Sequence, residues 1–472
     1  MQNESYVLGM VGLGVMGRNL LLNMADHGFP VAGYDKDATK VDQLHAEAGK
    51  DVVVKGYTAL PEFIKSLKKP RAVMLLVPAG KIVDSAIAEI APLLDEGDLI
   101  IDGGNSHFSD TNRRAEEMKT KGLHFFGMGV SGGEEGARKG PSMMPGGDPN
   151  AYKVVQPIFE AIAAKVNGDP CVTYIGPGAA GNFVKMVHNG IEYALMQVLA
   201  ETYEIMNKGL GLPGDEIYAA FKQWNEGRLQ SFLIEITRDI FAFKAPGTDH
   251  LLVDDIKDEA KSKGTGKWTS QVAMDLQLPI TAIDTAVSMR DLSKYKALRQ
   301  EASALYGGNE AKLNVDAKQF MKALEPSLYF TTVIAYAQGM HLLTQASKEY
   351  GYNLKLDEIA LIWRGGCIIR SKFLQEIHNA YKNNTKLEHL LLDGEIAKHV
   401  KEALGSMRQV VTAASAAGLA IPAYSASLSY FDTFRSARMP SNLIQAQRDY
   451  FGAHTYELTG KEGVFHTQWI TR

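Results

Sequence analysis

A lysine, a histidine, an asparagine and a glutamate recur in one short stretch at a spacing that suits a shared helix face. They are Lys185, His188, Asn189 and Glu192, with Met196 one turn further on, at i, i+3, i+4, i+7 and i+11. Phe183, Val184, Met186, Val187 and Ile191 fill the positions between them, so the predicted helix packs at least partly inside. At a rise of roughly 1.5 Å per residue, Lys185 and Glu192 stand about 10 Å apart along the axis, enough to flank a small acyclic substrate. Burial lowers a lysine pKa and raises a glutamate pKa, which suits the pair to general base and general acid work. The alternative is a buried structural Lys–Glu–Asn network.

Three glycine-containing stretches have anion chemistry. Gly12-Leu13-Gly14-Val15-Met16-Gly17 follows an apolar run and opens a helical one, the context in which GxGxxG brings backbone N–H groups to a pyrophosphate. Ser131, Gly132 and Gly133 form a glycine-rich turn suited to a carboxylate or hydroxyls, or simply a loop. Lys261-Ser262-Lys263-Gly264-Thr265-Gly266-Lys267-Trp268 mixes cations with glycines, as a phosphate cradle would. It is not a Walker A loop, because Lys261 replaces the first glycine and Trp268 replaces the final Ser/Thr. Asn105 lies in Asp102-Gly103-Gly104-Asn105-Ser106, just past an apolar run, where ligands of α/β sheets bind. By contrast, residues 65–71 (KSLKKPR) read as a solvated helix end.

Asp35 and Lys36 end the second apolar run. An aspartate there accepts hydrogen bonds from the adenosine ribose hydroxyls and repels a 2′-phosphate, whereas Lys36 offsets that charge and lets NADP in. The residues favour NAD and leave NADP open.

The elements that must carry these groups follow from periodicity. Short apolar runs at 7–11, 31–34, 73–77, 99–102, 124–127 and 171–175 alternate with helical patterns such as 18–27 and 84–94, the signature of βαβ units in a mainly parallel sheet. After about residue 178 the pattern becomes long helical segments. The predicted fold is an α/β Rossmann-like doubly wound domain over 1–178, a large all-α substrate and dimerisation domain over 179–437, and a C-terminal tail over 438–472. That tail has no core-sized apolar pattern, so it either frays or packs against something else.

Bulk composition narrows the function. A formal charge of −4 and a pI near 6.3 give no electrostatic case for nucleic acid or an anionic membrane. The start has no charged n-region and apolar h-region of a secretory signal, and no apolar run reaches the roughly 18 residues of a spanning helix. Cys171 and Cys367 belong to no cluster, so free thiols in a reducing cytoplasm are the simplest reading. The twelve histidines form no metal-spaced motif, and no metal is expected.

Taken together, the chain resembles the decarboxylating 6-phosphogluconate dehydrogenases over essentially its whole length. The motifs are DGGNS at 102–106, GVSGGEEGARKGPSMMPGG at 129–147, VKMVHNGIEY at 184–193, KGTGKWTSQ at 263–271 and NLIQAQRDYFGAHTYE at 442–457. The resemblance implies oxidative decarboxylation of 6-phospho-D-gluconate to D-ribulose 5-phosphate and CO2 with reduction of NAD or NADP, a step of the pentose phosphate pathway. It implies Lys185 as base and later electrophile, and Glu192 as the acid that protonates C1 of the enediol. It further implies that Asn105, Ser131, Gly132, Gly133, His188 and Asn189 hold the carboxylate and hydroxyls, and that Tyr193, Lys263, Thr265 and Arg290 hold the phosphate. Arg448 and His454 would complete the phosphate site of a neighbouring subunit in a homodimer with exchanged tails. The cofactor would lie on residues 12–17, Asp35, Lys36, Val77, Pro78, Ala79 and Asn105.

Two departures bear on the cofactor. Members that use NADP typically show Asn-Arg-Ser/Thr where this chain has Asp35-Lys36-Asp37, and often a lysine where it has Pro78. Both changes lean towards NAD. Asn182 replaces a frequent histidine, and Ala194-Leu195 a frequent Gly-Asp, with no consequence legible in the sequence. The rivals are a β-hydroxyacid dehydrogenase that oxidises without decarboxylating, which would not require Glu192 or the tail cations, and a catalytically inactive cofactor-sensing protein. Neither rival explains the retention of Lys185, Glu192 and the glycines together.

Overall fold

The computed structural model describes residues 5–308 and 311–470; the expected outer bounds at 1 and 472 lie outside them. Among the described residues the main sheet has seven strands: β1 (Leu8–Val11), β2 (Val31–Tyr34), β3 (Val54–Tyr57), β4 (Ala72–Leu75), β5 (Leu99–Asp102), β6 (His124–Ser131) and β7 (Ser142–Pro145). Their order is β3-β2-β1-β4-β5-β6-β7, with β7 antiparallel to β6 and the rest parallel. The central strands β1, β4 and β5 are buried along their whole length, as expected of strands covered by helices on both faces. The chain reverses between β1's two neighbours, β2 and β4, and this switch point is where an α/β sheet opens a crevice for ligands.

Several sequence expectations need correction. Residues 171–175 are not a strand: they run beside β7 with an isolated bridge, Met143 to Val172. Met143 N donates to Cys171 O and Ile175 N to Pro145 O, but Pro145 has no N–H for the bond that a continuous ladder would need between them. Strands β3 and β7 were not anticipated, and β6 runs to Ser131 rather than 127 because β7 pairs with its second half. The helix expected over 84–94 is Lys81–Ile90 followed by a tight turn Ala91–Leu93, since Pro92 cannot continue an α-helix. The stretch 65–71 is only partly solvated: Arg71 turns inward to the buried Asp98, at 2.8 Å.

From Ala180 onward the structure is helical. The 25-residue helix Ala180–Glu204 packs against β6 and β7 at its start and against the helices Thr265–Asp275, Thr281–Ser293 and Ala317–Glu349 along its length. It sits inside a continuous apolar core that includes Phe183, Val187, Ile191, Ile334 and Trp363. No helix among the described residues is long and apolar enough to cross a membrane. The tail is folded rather than frayed, and it has no apolar core of its own. It forms the helix Ser441–Gly452 and a hairpin, Tyr456–Leu458 with Lys461–Phe465, organised around the fully buried Asp449, which accepts bonds from Thr455 N, Thr467 N, Trp469 Nε1 and the His466 ring. Leu443, Ile444, Tyr450, Phe451 and Ile470 stay exposed on it.

Candidate active site and dinucleotide cavity

Close approach of the helix Ala180–Glu204 to β6 sets the site. A Cβ at Gly129 would stand 2.4 Å from Lys185 Cβ, so only glycine lets the lysine-bearing turn seat on the strand. The first turn is fixed by Asn182. Its Oδ1 accepts from Thr111 Oγ1 at 3.2 Å and its Nδ2 donates to Gly104 O at 3.4 Å, tying the helix to the loop that carries Asn105. This gives Asn182 the consequence that its sequence position did not reveal.

Lys185 is 6 % exposed and donates to Ser131 Oγ at 3.1 Å and Asn189 Oδ1 at 2.9 Å. His188 is fully buried, with Nε2 3.3 Å from Ser131 Oγ and Nδ1 3.0 Å from Asn189 Oδ1. Desolvation, reinforced by the Lys185 charge, holds the imidazole well below its ordinary pKa, so it is neutral. Asn189 Oδ1 can only accept, which places the ring proton on Nδ1 and leaves Nε2 to accept from Ser131. The 3.4 Å approach of Lys185 Nζ to His188 Nδ1 is then a contact rather than a bond. Lys185, Ser131, His188 and Asn189 thus close a ring of hydrogen bonds.

Burial drives both titrating groups toward neutrality. Lys185 is lowered by desolvation, which outweighs the opposing field of Glu192. Glu192 is raised by desolvation against the pull of Lys185 and Arg290. Its Oε2 lies 3.9 Å from His188 Nδ1. An amine with a lowered pKa and a carboxyl with a raised one on a single face suit a general base and a general acid that act at neighbouring positions of one substrate.

At the next residue of the helix, the Arg290 guanidinium lies 3.6 Å from the centre of the Tyr193 ring. Tyr193 also covers Gly266, where a Cβ would be 2.6 Å from the ring. The helix Thr265–Asp275 therefore starts beside Tyr193 and Arg290, capped by Gly264 in the left-handed region at φ 97°. Lys263 precedes it, exposed. Cations, a hydroxyl and a helix N-terminus together make a site for a phosphate. Arg448 and His454 are elsewhere: Arg448 donates to Gln445 at 3.1 Å and His454 packs against Phe451, both within the tail. Gly132 and Gly133 have positive φ, and Gly133 is exposed beside Ser131. Asn105 is exposed on its loop.

A cavity of about 450 Å³ opens at the switch point, lined by Gly12, Gly14, Asp35, Lys36, Val77 and Pro78. Gly12 has φ 95° and a Cβ there would meet Leu76 O at 2.5 Å, while Gly14 faces open space. Val15 and Met16 begin the helix Val15–Asp26, and Gly17 packs on Gly12 O. This cradle fits a dinucleotide pyrophosphate. Leu13 is buried, but its N–H donates to Asp35 Oδ2 at 2.9 Å, so Asp35 also braces the glycine loop. Ala79 and Asn105 lie outside the lining. Sequence reasoning missed Lys40 and Glu89, which do line it. The signal for Glu89 was present in Ile82, Ala86 and Glu89, which share one helix face. Among the described residues no cluster of three or more His, Cys, Asp or Glu is placed to hold a metal.

The family model "NAD binding domain of 6-phosphogluconate dehydrogenase" matches residues 7–176, and "6-phosphogluconate dehydrogenase, C-terminal domain" matches residues 181–469. The chain is 49% identical over 465 residues to the NADP(+)-dependent, decarboxylating 6-phosphogluconate dehydrogenase of Bacillus subtilis, covering 98% of this chain and 99% of that one. It is 50% identical over 458 residues to the decarboxylating 6-phosphogluconate dehydrogenase of Schizosaccharomyces pombe, covering 97% and 93%. Among solved structures, Plasmodium falciparum 6-phosphogluconate dehydrogenase, described with its cofactor NADP+ and its substrate 6-phosphogluconate, matches with a TM-score of 0.95 at 46% identity. That match covers 98% of this chain and 100% of that one.

Proposed function

The chain belongs to the 6-phosphogluconate dehydrogenase family, and on that premise we propose that it oxidises and decarboxylates 6-phospho-D-gluconate to D-ribulose 5-phosphate and CO2. The observation that carries this reading is the closed ring of Lys185, Ser131, His188 and Asn189, with Glu192 one turn beyond. A nicotinamide cofactor, which Gly12, Gly14 and Asp35 would hold in the cavity, would supply the hydride acceptor for C3. Lys185, whose pKa burial lowers towards that of a usable base, takes the proton of the C3 hydroxyl. The resulting ammonium then hydrogen-bonds the 3-keto oxygen, where charge develops as the C1–C2 bond breaks and CO2 leaves. The electron pair goes to an enediol, and Glu192, whose pKa burial raises towards that of a usable acid, delivers the proton that makes C1 of the ketose. Asn105, Ser131, Gly132, Gly133, His188 and Asn189 hold the carboxylate and hydroxyls, and Tyr193, Lys263, Thr265 and Arg290 the phosphate.

Three finer points belong to the same proposal. NAD is preferred, because Asp35 sits at the cavity wall and Pro78 offers no cation, in contrast to the NADP of the Bacillus and Plasmodium relatives; kcat/KM for the two cofactors tests this. The exposed apolar side of the tail packs on a second copy in a homodimer, bringing Arg448 and His454 to the partner's phosphate site. Residues 1–178, 179–437 and 438–472 thus serve as cofactor, substrate and exchange units. Free, buried Cys171 and Cys367 support a reducing cytoplasm. The test is product identification: 6-phosphogluconate and oxidised cofactor should give ribulose 5-phosphate, and a 3-keto acid as the stable product would refute the assignment.

A further inference from the structure

Four charged side chains line the dinucleotide cavity: Asp35, Lys36, Lys40 and Glu89. They are paired one to one. Lys40 Nζ lies 3.3 Å from Asp35 Oδ2, and Lys36 Nζ lies 2.8 Å from Glu89 Oε1. The lining therefore carries no net charge towards a ligand, although two lysines are present. Neither Lys36 nor Glu89 is held by burial, their side chains being 71% and 45% exposed. The direction of Lys36 is set by Glu89 rather than by packing. Glu89 comes from the helix Lys81–Ile90, whose Ile82, Ser85 and Ala86 line the same wall, so its position is fixed by an element independent of β2.

We propose that Glu89 is a cofactor-specificity residue, which holds Lys36 away from the ribose 2′ position and places a second carboxylate, besides Asp35, against a 2′-phosphate. This deepens the preference for NAD proposed above and rests on that reading. A 2′-phosphate that recruits Lys36 must break its pair with Glu89 and leave that carboxylate uncompensated beside a dianion. A ribose with a free 2′-hydroxyl meets neither cost. Asp35 has three bonds already, from Leu13 N, Lys40 and Asp37 N, which leave acceptor capacity for a hydroxyl.

The test uses wild type, Glu89→Gln, Lys36→Gln and the double variant of the full chain. Calorimetry gives the affinity for adenosine 2′,5′-bisphosphate and for AMP without turnover; kcat/KM for NAD and NADP is measured alongside. Glu89→Gln should tighten adenosine 2′,5′-bisphosphate by roughly tenfold and leave AMP within about twofold, the scale of one unscreened charge at a partly open site. Adding Lys36→Gln should return the bisphosphate affinity to near the wild-type value, while Lys36→Gln alone should weaken it, because Glu89 then faces the 2′-phosphate uncompensated. Unchanged bisphosphate affinity in Glu89→Gln, or a gain that survives Lys36→Gln, overturns the proposal. Failure of the NAD reading shows separately, as a wild-type kcat/KM that favours NADP; the effect of Glu89→Gln on the bisphosphate is read against wild type whatever that preference is.

Discussion

Lys185 Nζ donates to Ser131 Oγ at 3.1 Å, joining the last residue of β6 to the second turn of the helix Ala180–Glu204. The bond crosses from the dinucleotide-binding sheet to the helical part of the chain. It fixes where the base sits relative to any cofactor held by that sheet. Ser131→Ala removes the acceptor and also the donor to His188 Nε2. Since a hydrogen bond to a charged group contributes roughly 1.5–3 kcal/mol, kcat/KM should fall about 10- to 100-fold. Steady-state kinetics with a melting curve checks this; unchanged kinetics would remove Ser131 from the machinery.

Lys185→Met should reduce turnover by at least about 10³-fold, because base and electrophile are lost together. The dissociation constant of the cofactor should stay nearly unchanged. Equal loss of both would make Lys185 structural.

The pH profile separates the two titrating groups. Activity needs Lys185 neutral and Glu192 protonated, so kcat/KM should be bell-shaped. Glu192→Gln removes the group that must hold a proton, and the alkaline limb should vanish from the residual activity. An alkaline limb that persists would assign it to another group.

Glu201 offers a stability test away from the chemistry. Its buried carboxylate accepts from Ala423 N at 2.8 Å and Tyr424 N at 3.1 Å, at the start of the helix Pro422–Phe434. Burial nevertheless pushes its pKa up from 4.5 to about 7. The folded state then binds this proton more tightly than the unfolded one, so this group's contribution to stability is fully present below about pH 4.5 and is lost as pH rises through about 7. Glu201→Gln cannot titrate, and its stability relative to wild type should improve between pH 5 and 8 by up to about 3 kcal/mol. Denaturant melts at both pH values decide; parallel curves would contradict the shift.

Tail exchange has a genetic test. Lys185→Met and Arg448→Ala chains should each be weak alone, but their mixed dimer holds one site with both residues native. Activity well above either parent supports exchange, and activity no better than the parents contradicts it.

The sequence made some of this legible and not the rest, for physical reasons. The site helix could be read because Lys185, His188, Asn189 and Glu192 interrupt an apolar pattern at helical spacing, and Gly12–Gly17 because strand, glycines and helix are contiguous. Strand β3, Val-Lys-Gly-Tyr, carries no continuous apolar run, and β7 is defined by its pairing with β6. Lys40 and Glu89 reach one cavity only through the packing of two helices on the sheet. Asn182 acquires meaning from Thr111 and Gly104, both more than seventy residues away. Local pattern predicts elements and one-face constellations; partnerships across the sheet appear only once the elements are packed.

The most direct test of the central claim is the fate of C1. With 6-phosphogluconate labelled at C1, one labelled CO2 should be released per cofactor reduced, leaving unlabelled ribulose 5-phosphate. Cofactor reduction with the label retained in a sugar acid would contradict the account.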